Sequence, residues 1–220
     1  MIPILYTTFN RLYYTKITLP ALIERTPNGE IYVVDNGSTD GTQEYLKGLN
    51  LEHLTLNDSN LGVTEVMNLF FDETKDSEWI GKVDNDTLMP FGWLEELVRV
   101  ASENEIDIVQ AYHYFVSHNH VTWDDFKNCN GVINLDNGNL ITHPYVGGSG
   151  IVIRREVIKG YIIPVELIFG WSYFQVGRPE IKKAFYSGVW ADLLDMKNNN
   201  SYSDTADFEY YVETGRMTKH

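Results

Sequence analysis

The sequence predicts an α/β fold, with a mostly parallel central sheet flanked by helices and a smaller, irregular second half. Two observations carry that expectation. Short apolar runs alternate with amphipathic stretches from Ile2 to Ala111, and strands alternating with helices build parallel sheets through right-handed crossovers. Three of the runs also end in polar and acidic clusters: Thr7 to Arg11, Asp35 to Asp40 and Asp84 to Asp86. In a doubly wound sheet, clusters at the carboxyl ends of strands line the ligand crevice.

Taken in order, Ile2 to Tyr6 reads as a buried strand running into the turn Thr7-Thr8-Phe9-Asn10-Arg11. Leu12, Leu19, Leu22 and Ile23 share one face of a helix that Pro20 is expected to kink or restart. Ile31 to Val34 is a second strand, ending at Asp35. The turn formers from Asn36 to Thr42 supply N-caps for a helix beginning near Gln43. Leu51 to Leu56 alternates leucine with polar residues, as a third strand does. Val63, Val66, Met67, Phe70 and Phe71 follow the i, i+3, i+4, i+7, i+8 spacing of an amphipathic helix. Trp79 to Val83 is a fourth strand that stops at Asp84-Asn85-Asp86. Leu94, Leu97, Val98 and Ala101 mark another helix, and Ile106 to Ala111 another strand.

The second half is less regular. Residues 112–145 are rich in His, Asn, Asp and Tyr, with few clean periods. Gly147-Gly148-Ser149-Gly150 leads into Ile151-Val152-Ile153 and then Arg154-Arg155, and Asn198 to Ser201 reads as a flexible loop. With no internal repeat and no long linker, the 220 residues are expected to form a single domain.

Composition narrows the function. Seventeen Lys and Arg stand against 31 Asp and Glu, a net charge of −14. That balance argues against nucleic acid as partner, because binding it requires Lys and Arg to neutralise phosphates, and against an anionic membrane surface. No run approaches the roughly 18 apolar residues of a membrane span. The N-terminus carries no basic leader, and Cys129 is the only cysteine. A reducing, cytoplasmic location is the expectation from those two features.

Asp84 and Asp86 place two carboxylates on one tight turn after an apolar strand. Hard divalent cations take oxygen ligands, and Mg²⁺ is commonly held by one or two carboxylates together with substrate phosphates. Taken alone, an Asp-x-Asp turn is more often a cap or a solvated loop. Asp35 is equally open, as an Asx-turn residue serving its own loop or as an acceptor toward a base or ribose.

At these residues a family resemblance appears. Ile31-Tyr32-Val33-Val34-Asp35-Asn36-Gly37-Ser38-Thr39-Asp40-Gly41-Thr42 resembles the signature of family-2 glycosyltransferases with the Rossmann-like GT-A fold. Thr7-Thr8-Phe9-Asn10-Arg11 looks like that family's opening Pro-Thr-Tyr-Asn-Arg turn, with Thr7 in place of Pro. Asn60-Leu61-Gly62 through Asn68 is similar to its Asn-x-Gly helix start. Trp79 to Asp86 resembles the strand carrying its Asp-x-Asp motif, and Pro90 with Trp93 to Leu97 fits the helix that follows. The resemblance runs over residues 2 to 101 and thins at Gly147 to Arg155, which looks like a Gly-Gly-x-x-x-x-Arg-Arg strand.

The resemblance implies a hexosyltransferase-type enzyme that uses a UDP-, dTDP- or GDP-sugar with Mn²⁺ or Mg²⁺. The acceptor would be a glycan or glycoconjugate hydroxyl, as in polysaccharide biosynthesis, and the transfer would invert the anomeric centre. Residues 1–111 would form the nucleotide-sugar-binding half and residues 112–220 the acceptor-binding half. Carried over by position, Thr7, Phe9 and Asp35 would hold the nucleobase, with the Phe9 ring against its face. Asp84 would contact ribose or metal, and Asp86 would be the main metal ligand. Arg11 and Lys82 would reach ribose or phosphate at the periphery, and Asn85 belongs with the nucleotide-sugar contacts.

The chain departs from the pattern where inverting members carry a Glu-Asp pair that supplies the general base. Phe169-Gly170-Trp171 fits, but Ser172-Tyr173 stands in place of the acids. Candidate carboxylates are Glu166, Asp192, Asp195, Asp204 and Asp207. Val189-Trp190-Ala191-Asp192 resembles a late strand after which the family often has a metal-binding His, so Asp192 is a substitute metal ligand and Asp195 a candidate base. His113, His118 and His120 are close in sequence, but their spacings do not share a helical face, which argues against a zinc site. Tyr112, Tyr114, Phe115 and Trp123 are candidates for an acceptor sugar groove or for core. The missing pair keeps open a sugar-nucleotide-binding protein without transferase activity. A sugar-1-phosphate nucleotidyltransferase is disfavoured, because Thr7 to Arg11 lacks the glycines of a triphosphate loop.

Overall fold

The strand Ile2–Thr8 (β1) shows why a parallel sheet forms. Ile4, Leu5 and Tyr6 are all fully buried, so both faces of the strand are covered, and such strands read as continuous apolar runs. The computed structural model describes residues 1–115, 120–121, 129–165 and 170–194. After β1 come α1 (Leu12–Arg25), β2 (Gly29–Asp35), α2 (Thr42–Lys47), β3 (His53–Leu56), α3 (Val63–Glu73) and β4 (Trp79–Asp84). The chain continues through β5 (Thr87–Leu88), α4 (Trp93–Glu103), β6 (Ile108–Phe115), β7 (His120–Val121), β8 (Gly131–Leu135) and β9 (Gly138–Thr142). It closes with β10 (Ile151–Arg154), α5 (Gly170–Val176) and β11 (Lys183–Leu193).

The sheet order is β3-β2-β1-β4-β10-β6-β11-β9-β8, with β5 on β11 and β7 on β6. Strands β1 to β4 are mutually parallel, as are β6 and β11. From the second half of the chain, β10 inserts antiparallel between β4 and β6. One sheet therefore runs through both halves. On one face Ile4, Tyr6 and Val33 pack with Leu19 and Leu22 of α1, Leu46 of α2, and Trp93, Leu94 and Leu97 of α4. On the other, Leu5, Ile80 and Ile151 pack with Val66, Met67 and Phe70 of α3 and Trp171 and Phe174 of α5.

Several expectations shift in detail. Helix α1 runs without a break through Pro20. Pro20 and Lys16 both lie on its exposed face, so the carbonyl that loses its partner is open to water, while buried Thr15, Thr18 and Leu19 hold the helix down. β6 starts at Ile108 and runs past Ala111 to Phe115, because Tyr112 is itself core. The irregular stretch also contains the hairpin β8–β9, with Leu135 opposite Gly138 across Asp136-Asn137. That turn is the signal a sequence reading should use, since short Asn/Asp-Gly turns between alternating apolar residues mark hairpins. Arg155, buried just after β10, donates to the carbonyl of Phe71 at 2.8 Å, to Thr74 Oγ1 at 2.7 Å and to the Thr74 carbonyl. It thereby satisfies the otherwise orphaned end of α3. Among the described residues, no helix is long and apolar enough to cross a membrane.

Candidate active site

The three polar clusters meet at the carboxyl ends of β1, β2 and β4, which the register aligns: Thr8 lies beside Asp35, and Thr7 beside Asp84. Asn10 and Arg11 adopt left-handed backbone angles, with φ 54° and 60°, which turn the chain sharply out of β1. The turn is laced to the loop after β2. Ser38 Oγ accepts from the Asn10 backbone N–H at 2.7 Å, Asn10 Oδ1 accepts from Thr39 N–H at 2.9 Å, and Asp40 accepts from Leu12 N–H at 2.8 Å.

Asp35 organises that loop from inside. Its fully buried carboxylate accepts from Ser38 N–H at 2.9 Å, Gly37 N–H at 3.2 Å, Gln43 Nε2 at 2.8 Å and the Ser38 hydroxyl. Of the two readings open from the sequence, the loop-holding one is what the geometry displays. Asn36 extends the lacing to the third segment: its Nδ2 donates to Asn60 Oδ1 at 2.7 Å, and its Oδ1 accepts from Leu61 N–H at 3.0 Å. Gly37 makes the close approach possible. At φ +86° a Cβ there would sit 2.6 Å from the Ser59 carbonyl carbon.

The acidic turn follows β4. Asp84 Oδ1 accepts from Thr7 Oγ1 at 2.8 Å and from the Lys82 ammonium, and Lys82 also donates to the Gly148 carbonyl at 2.7 Å. Ser149 Oγ accepts from Asp84 N–H at 2.9 Å and bonds Thr87 Oγ1 at 2.7 Å. The Gly147-Gly148-Ser149 segment is thus fastened to the turn. Asp86, with 22% of its side chain exposed, pairs with Arg11 at 3.2 Å. Asn85 takes a different place from its neighbours. Its buried amide donates to Thr8 Oγ1, the Asn10 carbonyl and Thr15 Oγ1 at 3.0 to 3.3 Å, which makes it a strut within the turn.

Strand β11 brings Asp192 to the same region. Asp192 pairs with Leu88 of β5, and Leu194 N–H donates to the Asp86 carbonyl at 2.8 Å. Asp192 is half-buried. Asp195 lies outside the described residues, as do Glu166, Asp204, Asp207, His118, Trp123 and Asn198 to Ser201. Phe9 is half-buried at the rim of the first turn.

Other candidates are placed elsewhere. Tyr112 is core, packed against Phe185 and Trp190 at ring distances of 6.4 and 5.3 Å. Among the described side chains of this strand pair the most exposed ring is Trp190, at 43%, which sequence periodicity hid behind a register shift in β11 between Tyr186 and Trp190. Enclosure pulls the His113 imidazole down to about 4, and its Nε2 lies 3.0 Å from the Ser149 carbonyl. It is a neutral strut under the glycine segment. Helix α5 contains no carboxylate, and it docks on the same segment through Trp171 Nε1 to the Gly147 carbonyl at 3.0 Å and through Gln175 to Val146.

The donor set suits a divalent ion that shares its ligands with a phosphate. Among the described residues no group of three His, Cys, Asp or Glu side chains could hold a metal ion by itself. Two carboxylates on one turn, with remaining ligands from phosphates and water, match the way Mg²⁺ is usually held.

The fold matches solved glycosyltransferase structures. The S. aureus TarS 1-349 complex with UDP-GlcNAc aligns with a TM-score of 0.66 at 18% identity, covering 93% of this chain and 61% of that one. S. aureus TarS 1-349 alone gives 0.64 at 20% identity, covering 86% and 59%. GalNAc-T7 with UDP, GalNAc and Mn²⁺ gives 0.66 at 15% identity, covering 88% and 43%. This chain therefore spans about three fifths of TarS 1-349 or less than half of GalNAc-T7, and the shared fold is GT-A. No curated protein matches the sequence significantly. Residues 4–162 match Glycosyl transferase family 2, and the chain belongs to that family.

Proposed function

We propose that this glycosyltransferase moves a hexose from a nucleoside-diphosphate sugar to a glycan or other hydroxyl acceptor, with a divalent metal and inversion at the anomeric carbon. The observation that carries the reading is the joining of three strand-end clusters, at the carboxyl ends of β1, β2 and β4, around the Asp84-Asn85-Asp86 turn. Relatives in fold were solved with UDP, UDP-GlcNAc and Mn²⁺, which favours UDP over dTDP or GDP. Phe9 stacks on the base, and Asp35 acts through the loop it holds. Thr7 belongs with the base, Asp84 would reach the ribose or the ion, and Asp86 would be the main ligand of Mn²⁺ or Mg²⁺. When bound, the ion offsets charge on the departing diphosphate.

In the proposed step, the acceptor oxygen bonds to the anomeric carbon as the carbon–oxygen bond to the diphosphate breaks. The electron pair leaves with the diphosphate, and the hydroxyl proton passes to a carboxylate. Asp192 and Asp195 are the candidates, since β11 ends beside the acidic turn. Asp192 serves alternatively as the third oxygen ligand.

One observation favours a second reading, a sugar-nucleotide-binding protein without transfer: α5 presents Ser172 and Tyr173 where the base pair is expected. Donor consumption in the presence of Mn²⁺ separates the two. The transferase reading expects it in the wild type and not in a folded Asp86→Ala variant, and a fully active variant removes Asp86 from the mechanism.

A further inference from the structure

The acidic turn already holds two cations. The Lys82 side chain is 3% exposed, bonded to Asp84 Oδ1 and to the Gly148 carbonyl. The Arg11 side chain is 7% exposed and pairs with Asp86. Enclosed charges persist only when paired, and each cation here is paired with a carboxylate of the turn. A divalent ion reaching Asp84 meets an oxygen that both Thr7 and Lys82 use, with a like charge enclosed beside it. A diphosphate changes that balance. An ammonium has three donors, two of which are engaged here, and phosphate oxygens supply the anionic partner that lets Lys82 release Asp84.

We propose that Lys82 is the resident cation of the acidic turn, holding a divalent ion off Asp84 until a nucleoside diphosphate arrives. Metal and nucleotide then bind as a coupled pair. The inference rests on the donor-site reading for its second ligand, though its first half, competition between Lys82 and the metal, stands on the geometry alone. Lys82→Met is the informative change. The side chain emerges on a face shared with Ile80, Leu5 and Ile151, and an unbranched apolar chain suits it.

The test is titration of Mn²⁺ followed by the electron-paramagnetic signal of the free ion, with and without saturating UDP. In the wild type, UDP raises Mn²⁺ affinity roughly ten-fold or more, within the range of ordinary site–site coupling. Lys82→Met binds Mn²⁺ alone roughly ten-fold or more tightly than the wild type, a gain that damage to the fold does not produce. Lys82→Arg, which keeps the charge, stays weak. Equal Mn²⁺ affinity in folded Lys82→Met and wild type overturns the proposal, as does a wild type that binds Mn²⁺ equally well with and without bound UDP. If Lys82→Met does not fold, that wild-type comparison decides, repeated with pyrophosphate. If neither UDP nor pyrophosphate binds, the donor reading fails, and the Mn²⁺-only comparison still tests the competition.

Discussion

Asp35→Ala is expected to weaken the fold and the crevice together, and its size follows from the bonds it breaks. Four donors point at this buried carboxylate. Gln43 Nε2 keeps a second acceptor in the Asn57 carbonyl at 3.0 Å, and the 3.2 Å bond from Gly37 N–H is the longest of the set. The net loss is therefore carried by the backbone and hydroxyl of Ser38, itself buried. Hydrogen bonds to a charged acceptor contribute roughly 1.5 to 3 kcal/mol each. Water entering the vacated space recovers part of two such bonds, which leaves about 3 kcal/mol. For a chain of this size that lowers the melting temperature by roughly 6 to 12 °C. Asp35→Asn keeps one acceptor oxygen and the shape, and should cost about 1 kcal/mol. Urea unfolding at neutral pH measures both. If Asp35→Ala lies within about 0.5 kcal/mol of the wild type, a surface-like value, the loop is not held as described.

Two further outcomes follow from single residues. His113 is pulled down to about 4 from an unfolded value of 6.5, so the unfolded chain binds the extra proton between those limits. Stability from this group is complete above pH 6.5 and is lost as pH falls toward 4, by at most about 3 kcal/mol; His113→Gln should flatten that part of a stability-versus-pH curve. Gly37→Ala forces both a left-handed φ and a 2.6 Å contact with Ser59, and should destabilise by more than about 1 kcal/mol in urea unfolding.

The first half of the chain was legible because its signals are local. The spacing of Val63, Val66, Met67, Phe70 and Phe71 specifies α3 by itself, and apolar runs ending in turn formers specify β1, β2 and β4. Their polar ends come together at the carboxyl ends of β1, β2 and β4. The second half depends on pairing between distant segments. Nothing near Ile151 announces that β10 will enter antiparallel between β4 and β6, and the shift in β11 that exposes Trp190 is a property of two strands together. The roles inside the site follow the same division. Asp84 and Asp86 are visible as a motif, whereas the strut formed by Asn85, the bond from Lys82 to the Gly148 carbonyl and the Arg11–Asp86 ion pair join residues 66 to 77 positions apart. Tyr112 was ambiguous between groove and core because a strand covered on both faces has no polar alternation to read.

The central claim is donor chemistry at the acidic turn, and release of UDP from UDP-GlcNAc tests it most directly. Expected is slow release by the wild type that requires Mn²⁺, quickens with a suitable hydroxyl acceptor, and disappears in an Asp86→Ala variant that remains folded. The same release from the Asp86→Ala variant would contradict it. So would a folded wild type that, with Mn²⁺ present, neither binds nor consumes any UDP-, dTDP- or GDP-sugar.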